Sequence, residues 1–258
     1  MPAQARPARG SQEFSSQVRA MFDRIAGVYD VMNRVMTAGL DRRWRRRAVE
    51  RAELTAGESA LDVCCGTGDL AFELARRVGT SGRVVGCDFS ERMLELARAK
   101  EEQLRLGRGG AGAEANGAGS LGPVEFEWAD ALDLPYADAS FDAVTVGFGV
   151  RNLSDLEAGL GELVRVLRPG GRLVILEITR PRRPPLSSFF SLWFDRVVPL
   201  LGSLAGDSDA YSYLPESVRS FPEPERLAAL MDAAGLERVR WLILAGGIIA
   251  IHSGARRT

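Results

Sequence analysis

Lysine and histidine are nearly missing from this chain: Lys100 and His252 are the only examples in 258 residues. Cysteine is scarce as well. Cys64, Cys65 and Cys87 are the full set, and no two are spaced as C-x-x-C. One histidine and such cysteines do not assemble a usual zinc set, so no metal is expected, and a reducing cytoplasmic setting fits. No uninterrupted apolar run reaches 18 residues, which argues against a transmembrane helix. Met1 to Gly10 is polar and contains arginine without an apolar stretch, unlike a secretory signal. Neither sign of charge dominates: 33 basic against 34 acidic residues leave a net charge of −1. Wholesale electrostatic attraction to nucleic acid is therefore not implied. The preference for arginine over lysine, together with abundant Ala and Gly, reads as a coding bias of a GC-rich genome.

What is present is ordinary globular material, 46% hydrophobic and 26% charged, enough for one sizeable core. Residues 1–12 read as a disordered tail and 13–258 as a single domain. From Glu13 to Glu53 the apolar residues fall near helical spacing (Val18, Phe22, Ile25, then Val31 and Val35). Beyond that, apolar runs of strand length alternate with helical stretches. The predicted strands are Ser59–Cys65, Arg83–Phe89, Val124–Asp130, Phe141–Phe148 and Arg172–Ile178. The helices between them are Asp69–Val78, Ser90–Leu106 and Asp155–Leu167. Near-continuous apolar strands alternating with helices predict a parallel sheet covered on both faces. A helix near Glu223–Ala234 and two apolar runs, Val239–Ala245 and Ile248–His252, around Gly246-Gly247 predict a terminal antiparallel hairpin. Residues 107–122 (GRGGAGAEANGAGSLG) read as a flexible insertion.

The first strand runs into Asp62-Val63-Cys64-Cys65-Gly66-Thr67-Gly68-Asp69. Glycines after a strand admit a ligand close to the backbone, and the following helix offers free N–H groups. Asp88 ends the second strand, placed to accept hydrogen bonds from a ribose diol. Gly66-x-Gly68-x-x-Ala71 satisfies the loose dinucleotide pattern, so a nicotinamide cofactor must be weighed. Three features favour S-adenosylmethionine instead. Asp62 and Asp69 flank the loop, where Asp69 would repel a pyrophosphate. Asp130-Ala131 after the third strand presents a carboxylate and an amide to an adenine edge. The reversed terminal hairpin is the mark of class I methyltransferases.

Several words then resemble one family, the ubiquinone/menaquinone biosynthesis C-methyltransferases (UbiE/MenG type). They are Tyr29-Asp30-Val31-Met32-Asn33, Gly66-Thr67-Gly68-Asp69, Asp88-Phe89-Ser90, and Gly147-Phe148-Gly149-Val150-Arg151-Asn152-Leu153. To these are added Arg165 through Gly171, Glu177-Ile178-Thr179, Tyr211-Ser212-Tyr213-Leu214 and Gly246-Gly247 through His252. The resemblance implies a class I Rossmann-like fold, an α/β seven-stranded and mostly parallel sheet. It implies S-adenosylmethionine as methyl donor, no metal, and transfer to a ring carbon of a polyprenylated quinol. Cofactor contacts carry over to Gly66, Thr67, Gly68, Asp88, Asp130 and Ala131. Where the family often has serine, Gly147 stands and any side-chain contact is lost. Thr37 and Asp41 occupy positions usually held by serine and histidine, Arg168 a usual lysine, and Thr179 a usual serine.

A quinol carbon is nucleophilic when the ring is reduced, more so when its hydroxyl is deprotonated. Arg151, after the fourth strand, either stabilises a developing phenolate or clamps a loop. Tyr29, Glu177, Tyr211, Tyr213 and His252 are weaker candidates, and His252 reads as a core residue. Cys64 and Cys65 read as buried packing. The apolar stretch Leu186–Ala205 is a lid over a prenyl tail, a membrane-facing helix, or core. The run Arg42-Arg43-Trp44-Arg45-Arg46-Arg47 touches lipid headgroups or is a solvated face. The expected substrate is demethylmenaquinol, a prenylated naphthoquinol, because many GC-rich bacteria use menaquinone; peripheral membrane contact accompanies it, and nucleic acid is not a partner. The rivals are a polyprenyl benzoquinol, another small-molecule methyl acceptor, and a non-catalytic S-adenosylmethionine-binding partner of quinone enzymes.

Overall fold

The computed structural model describes residues 11–106, 121–197 and 208–258. Most of the tail and of the insertion, residues 1–10 and 107–120, lies outside them, as do residues 198–207, which include the end of the apolar stretch. Ser11 caps helix α1 (Gln12–Met36), its Oγ accepting from the Phe14 amide at 3.1 Å. Ala38 and Gly39, both at positive φ, then break the helical pattern, and α2 (Asp41–Arg51) starts afresh. The predicted helical stretch is thus two helices.

The sheet comprises β1 (Ser59–Val63), β2 (Arg83–Asp88), β3 (Val124–Trp128), β4 (Phe141–Gly147), β5 (Leu167–Ile178), β6 (Leu236–Leu244) and β7 (Ile249–Arg256). Its order is β3-β2-β1-β4-β5-β7-β6. β7 runs antiparallel to both β5 and β6, and the other neighbours pair in parallel. The expected parallel sheet and reversed hairpin are both present. Two strands begin earlier than predicted. Leu167 already pairs with Phe141 before a register shift, and Leu236 pairs with Arg256 before another.

Helices α3 (Asp69–Val78) and α4 (Glu91–Leu106) cover one face with α2; Trp44, Leu74 and Leu94 pack there with Ala60 and Val84. Helices α5 (Leu156–Arg165) and α8 (Pro224–Ala233) cover the other, where Leu163 and Met231 meet Leu61, Val144 and Ile175. Burial of alternate strand residues on the two faces explains why the strands read as near-continuous apolar runs. Short α6 (Leu186–Leu192) and α7 (Ser208–Ser220) follow β5. Helix α1 sits outside this sandwich, with Phe14, Val18, Met21 and Ile25 packed against Tyr213 of α7. Its later apolar residues turn away: Val31 and Val35 are 65% and 56% exposed. Among the described residues no helix is long and apolar enough to cross a membrane.

Candidate active site

The C-terminal ends of β1, β2 and β4 converge, the position where open α/β sheets place ligands. Sharp turns follow β1 and β4: Cys64, Gly66, Gly68 and Phe148 all have positive φ. At Gly68 the requirement for glycine is double, since a Cβ would stand 2.7 Å from the Phe126 ring. Asp88 lies at the end of β2, buried, with Oδ2 accepting from the Gly66 amide at 2.8 Å and Oδ1 from the Ser90 amide at 2.9 Å. Burial pushes its carboxyl up to about 6, against the opposing pull of those amides. Asp62 is buried in β1, accepts from Thr145 Oγ1 at 2.7 Å, and burial raises it to about 7.

A cavity of about 60 Å³ opens here, lined by Cys64, Gly66, Asp88, Asp130, Ala131 and Gly149 among others. Four of the six predicted cofactor residues therefore share one cavity. Thr67 and Gly68 do not line it. The Thr67 hydroxyl is engaged elsewhere, donating to Asp30 Oδ1 at 2.7 Å and accepting from Lys100 Nζ at 2.8 Å. Gly147 does line it, without a side chain to offer. Asp130 is exposed, and its Oδ1 accepts from the Leu132 amide at 2.9 Å. The cavity suits an adenosyl group on one observation in particular. Backbone amides of Gly66, Phe89 and Ser90 hold the buried Asp88 carboxylate at the cavity wall, so a ribose hydroxyl finds an anion fixed in place.

A second cavity of about 350 Å³ adjoins the first and shares Phe22, Tyr29 and Phe148 with it. Its walls are mainly apolar, from Met21, Ile25, Trp44, Phe190 and Ile248. The aromatic stretch after β5 contributes Phe189, Phe190, Trp193 and Phe194. Periodicity gave no hint that α1 would roof both cavities with Phe22 and Tyr29.

Polar groups on this second cavity are few. Asp41, at the position where the family pattern has histidine, forms a buried ion pair with Arg45 and accepts from Thr37 Oγ1. Arg151 is buried on the wall, and its Nη1 donates to Glu177 Oε1 at 2.7 Å and to the Phe148 carbonyl at 2.5 Å. Glu177 also accepts from the Arg151 and Ile178 amides. Burial opposes the guanidinium charge, but Glu177 and Tyr29 hold its pKa above the usual value. Burial raises the Tyr29 phenol, against a hydrogen bond with Asn33. Tyr213 hydroxyl donates to Asn152 Oδ1 at 3.2 Å. The Tyr211 side chain lies outside those described. His252 is a core residue as read: buried in β7, Nε2 3.0 Å from the Pro224 carbonyl, stacked on Trp241, its pKa lowered by burial. Burial raises the Cys64 and Cys65 thiols well above their usual range, which suits packing rather than nucleophilic chemistry. No cluster of three or more His, Cys, Asp or Glu residues arranged to hold a metal occurs among the described residues.

Known proteins with this geometry define the class first. A methyltransferase described as dependent on S-adenosylmethionine from Aquifex aeolicus matches with a TM-score of 0.55 at 21% identity, over 81% of this chain and 88% of that one. The [4+2]-cyclase SpnF matches at 0.66 and 20% identity, over 98% of both chains, so the shared architecture is the fold and not one reaction. Sequence narrows the class further. The profile of the ubiE/COQ5 methyltransferase family matches residues 10–256, and the chain belongs to that family. It is an S-adenosylmethionine-dependent methyltransferase. It is 48% identical to the demethylmenaquinone methyltransferase of Thermus thermophilus, covering 92% of this chain and 100% of that one. It is 46% identical to that of Deinococcus radiodurans, over 100% of both. The ubiquinone/menaquinone biosynthesis C-methyltransferase UbiE of Hahella chejuensis is 40% identical, covering 95% and 93%.

If Asp88 holds the ribose diol, cofactor affinity should depend on pH. Below about 6 the carboxyl takes up a proton and ceases to be an anionic acceptor. Affinity for S-adenosylmethionine is expected to fall by about tenfold between pH 7 and pH 5, where only the ionised form binds well. Asp88→Asn should abolish that dependence and weaken binding throughout, by roughly 10- to 150-fold, since its NH₂ must face a backbone donor. Calorimetry across this pH range checks both; an unchanged affinity in the variant would remove Asp88 from the site.

Proposed function

We propose that the chain methylates a ring carbon of a prenylated naphthoquinol, demethylmenaquinol in chemical terms. The observation that carries this reading is the apolar cavity beside the cofactor cavity, with only Phe22, Tyr29 and Phe148 common to both. A ring placed between Tyr29 and Phe148 would face the cofactor cavity, with its tail in the larger space. About 350 Å³ lies within the usual range for a small-molecule site. The names of the relatives at 46% and 48% identity point to the naphthalene ring.

Bound S-adenosylmethionine supplies the methyl group as an electrophilic sulfonium. Asp88 would hold the ribose diol, Gly66 would let the ligand approach the backbone, and Asp130 with Ala131 would meet the adenine edge. Thr67 and Gly68 would shape the loop without touching the ligand. Arg151 would favour the ionised quinol hydroxyl from the cavity wall, while Glu177 fixes its orientation.

A long tail outruns the cavity and leaves past Val35, Leu40 and Phe189, which line it and are exposed. Val31 and Leu192 add to the exposed apolar surface. With arginines 42, 43 and 46 exposed at the start of α2, this face suits peripheral contact with an anionic bilayer.

The test is methyl transfer from labelled S-adenosylmethionine to reduced demethylmenaquinol, with a prenylated benzoquinol as competitor and products identified by mass spectrometry. The naphthoquinol should be the preferred acceptor. A tail-less analogue should bind poorly, losing roughly 0.8 kcal/mol for each CH₂ no longer buried. Exclusive methylation of the benzoquinol would keep the family and overturn the substrate.

A further inference from the structure

The only lysine in the chain sits where three elements meet. Lys100, on α4, places Nζ 2.5 Å from Asp30 Oδ2 of α1, 2.8 Å from Thr67 Oγ1 of the glycine loop and 2.9 Å from Asp69 Oδ1 at the start of α3. An ammonium has three donors, and here three acceptors from three separate elements surround it. We infer that Lys100 is a positioning residue, a staple that holds α1 over the cofactor cavity and thereby sets how long S-adenosylmethionine stays bound.

The cover itself is plain in the lining. Ser15, Phe22 and Tyr29 of α1 close one side of the cavity whose other side carries Gly66 and Asp88. On this inference, a ligand enters or leaves there when α1 moves off. Apart from apolar packing, polar links tie α1 to the loops beneath it, among them two beside the cavity. Ser90 Oγ donates to Asp23 Oδ1 at 2.5 Å, two residues beyond Asp88. The Lys100 cluster is the second link, and the Thr67 hydroxyl joins it by donating to Asp30. Both loops that would grip the ligand are thus bonded to the helix above it.

Removing the ammonium does more than delete attractions. Asp30 and Asp69 each lie within 2.9 Å of Nζ; without it Asp30 loses its ammonium and Asp69 keeps only the longer pair with Arg45 at 3.5 Å, so the seam gains net negative charge. The staple becomes a wedge. Arginine keeps the charge but not the compact three-way geometry.

In Lys100→Met the dissociation rate of S-adenosylmethionine, followed by stopped-flow displacement, should rise about tenfold, as expected for charge-assisted bonds only partly screened by water. Amide hydrogen exchange in residues 22–36 should also accelerate with no ligand present. Lys100→Arg should recover most of the slow release. Asp30→Asn should accelerate release too, and the double variant should fall well short of the combined single effects, because both act through one contact. Arg83→Met, which breaks the exposed pair with Glu125, serves as the control and should leave release unchanged. Release within twofold of wild type in folded Lys100→Met, or independent effects of the two substitutions, would overturn the inference.

Discussion

Glu177→Ala is expected to cost about 3–5 kcal/mol of folding stability, because it strands a buried guanidinium. Arg151 is 7% exposed and Glu177 1% exposed, and their side chains meet at 2.7 Å. The substitution also removes the acceptor for the Arg151 and Ile178 amides. Little of either side chain is open to water that could replace the carboxylate, so the loss is far larger than for a surface pair. For a domain of this size the melting temperature should fall by roughly 6–20 °C. Urea unfolding and calorimetry check the expectation, and a loss under 1 kcal/mol would contradict it. Replacing both residues by leucine is the informative companion. With neither charge left to desolvate, much of the stability should return. Methyl transfer should not return if Arg151 acts on the quinol oxygen. Full activity in that folded double variant would assign Arg151 to the loop clamp alone.

That companion experiment matters because both readings of Arg151 were open from sequence, and the structure supplies something to each. Its bonds to Glu177 and the Phe148 carbonyl are those of a clamp, while its place on the cavity wall puts its charge beside the expected ring. The partner was not foreseeable. Glu177 is 26 residues away and meets Arg151 only because β4 and β5 pair in parallel.

The same distinction separates most of what could be read in advance from what could not. Strands β1, β2 and β4 announced themselves because both faces are buried and their apolar runs are continuous. The start of β5 was hidden by Pro169-Gly170-Gly171, which reads as a turn although Leu167 already pairs with Phe141. The start of β6 was hidden by charges at Glu237 and Arg238, tolerable on an edge strand. That Asp88, Asp130 and Ala131 border one cavity was legible because a strand end followed by a loop fixes where a residue lies relative to the sheet. The same logic does not fix where the Thr67 side chain turns. Its backbone belongs to the loop, but its hydroxyl turns to Asp30 and Lys100, 37 and 33 residues away. Periodicity found α1 but not its partner, and it could not separate buried Val18 and Ile25 from exposed Val31 and Val35. Lys100 looked like a residue of codon usage, since nothing local to it marks a junction of three elements.

Turnover on the oxidised quinone is expected to be undetectable, with full activity restored by a chemical reductant. The electrons decide this. The new carbon–carbon bond forms from a π pair of the ring carbon, the carbon–sulfur bond of the donor breaks toward sulfur, and the methylated carbon then gives up its proton to restore aromaticity. A quinol, and better a quinolate, has that pair to give. A quinone ring is itself an electrophile and has none. Protein groups can widen the difference but cannot reverse it. In the proposed arrangement a cationic Arg151 beside the ring oxygen would favour the quinolate, and the mainly apolar wall from Phe190, Trp193 and Ile248 would strengthen that charge interaction. The rate with quinol should therefore rise with pH as the ring hydroxyl ionises, whereas the oxidised ring should stay inert throughout. Anaerobic single-turnover assays with demethylmenaquinone, with and without dithionite, compare the two states directly. Equal methylation of both rings would exclude carbon nucleophilicity as the driving step and with it the proposed role of Arg151.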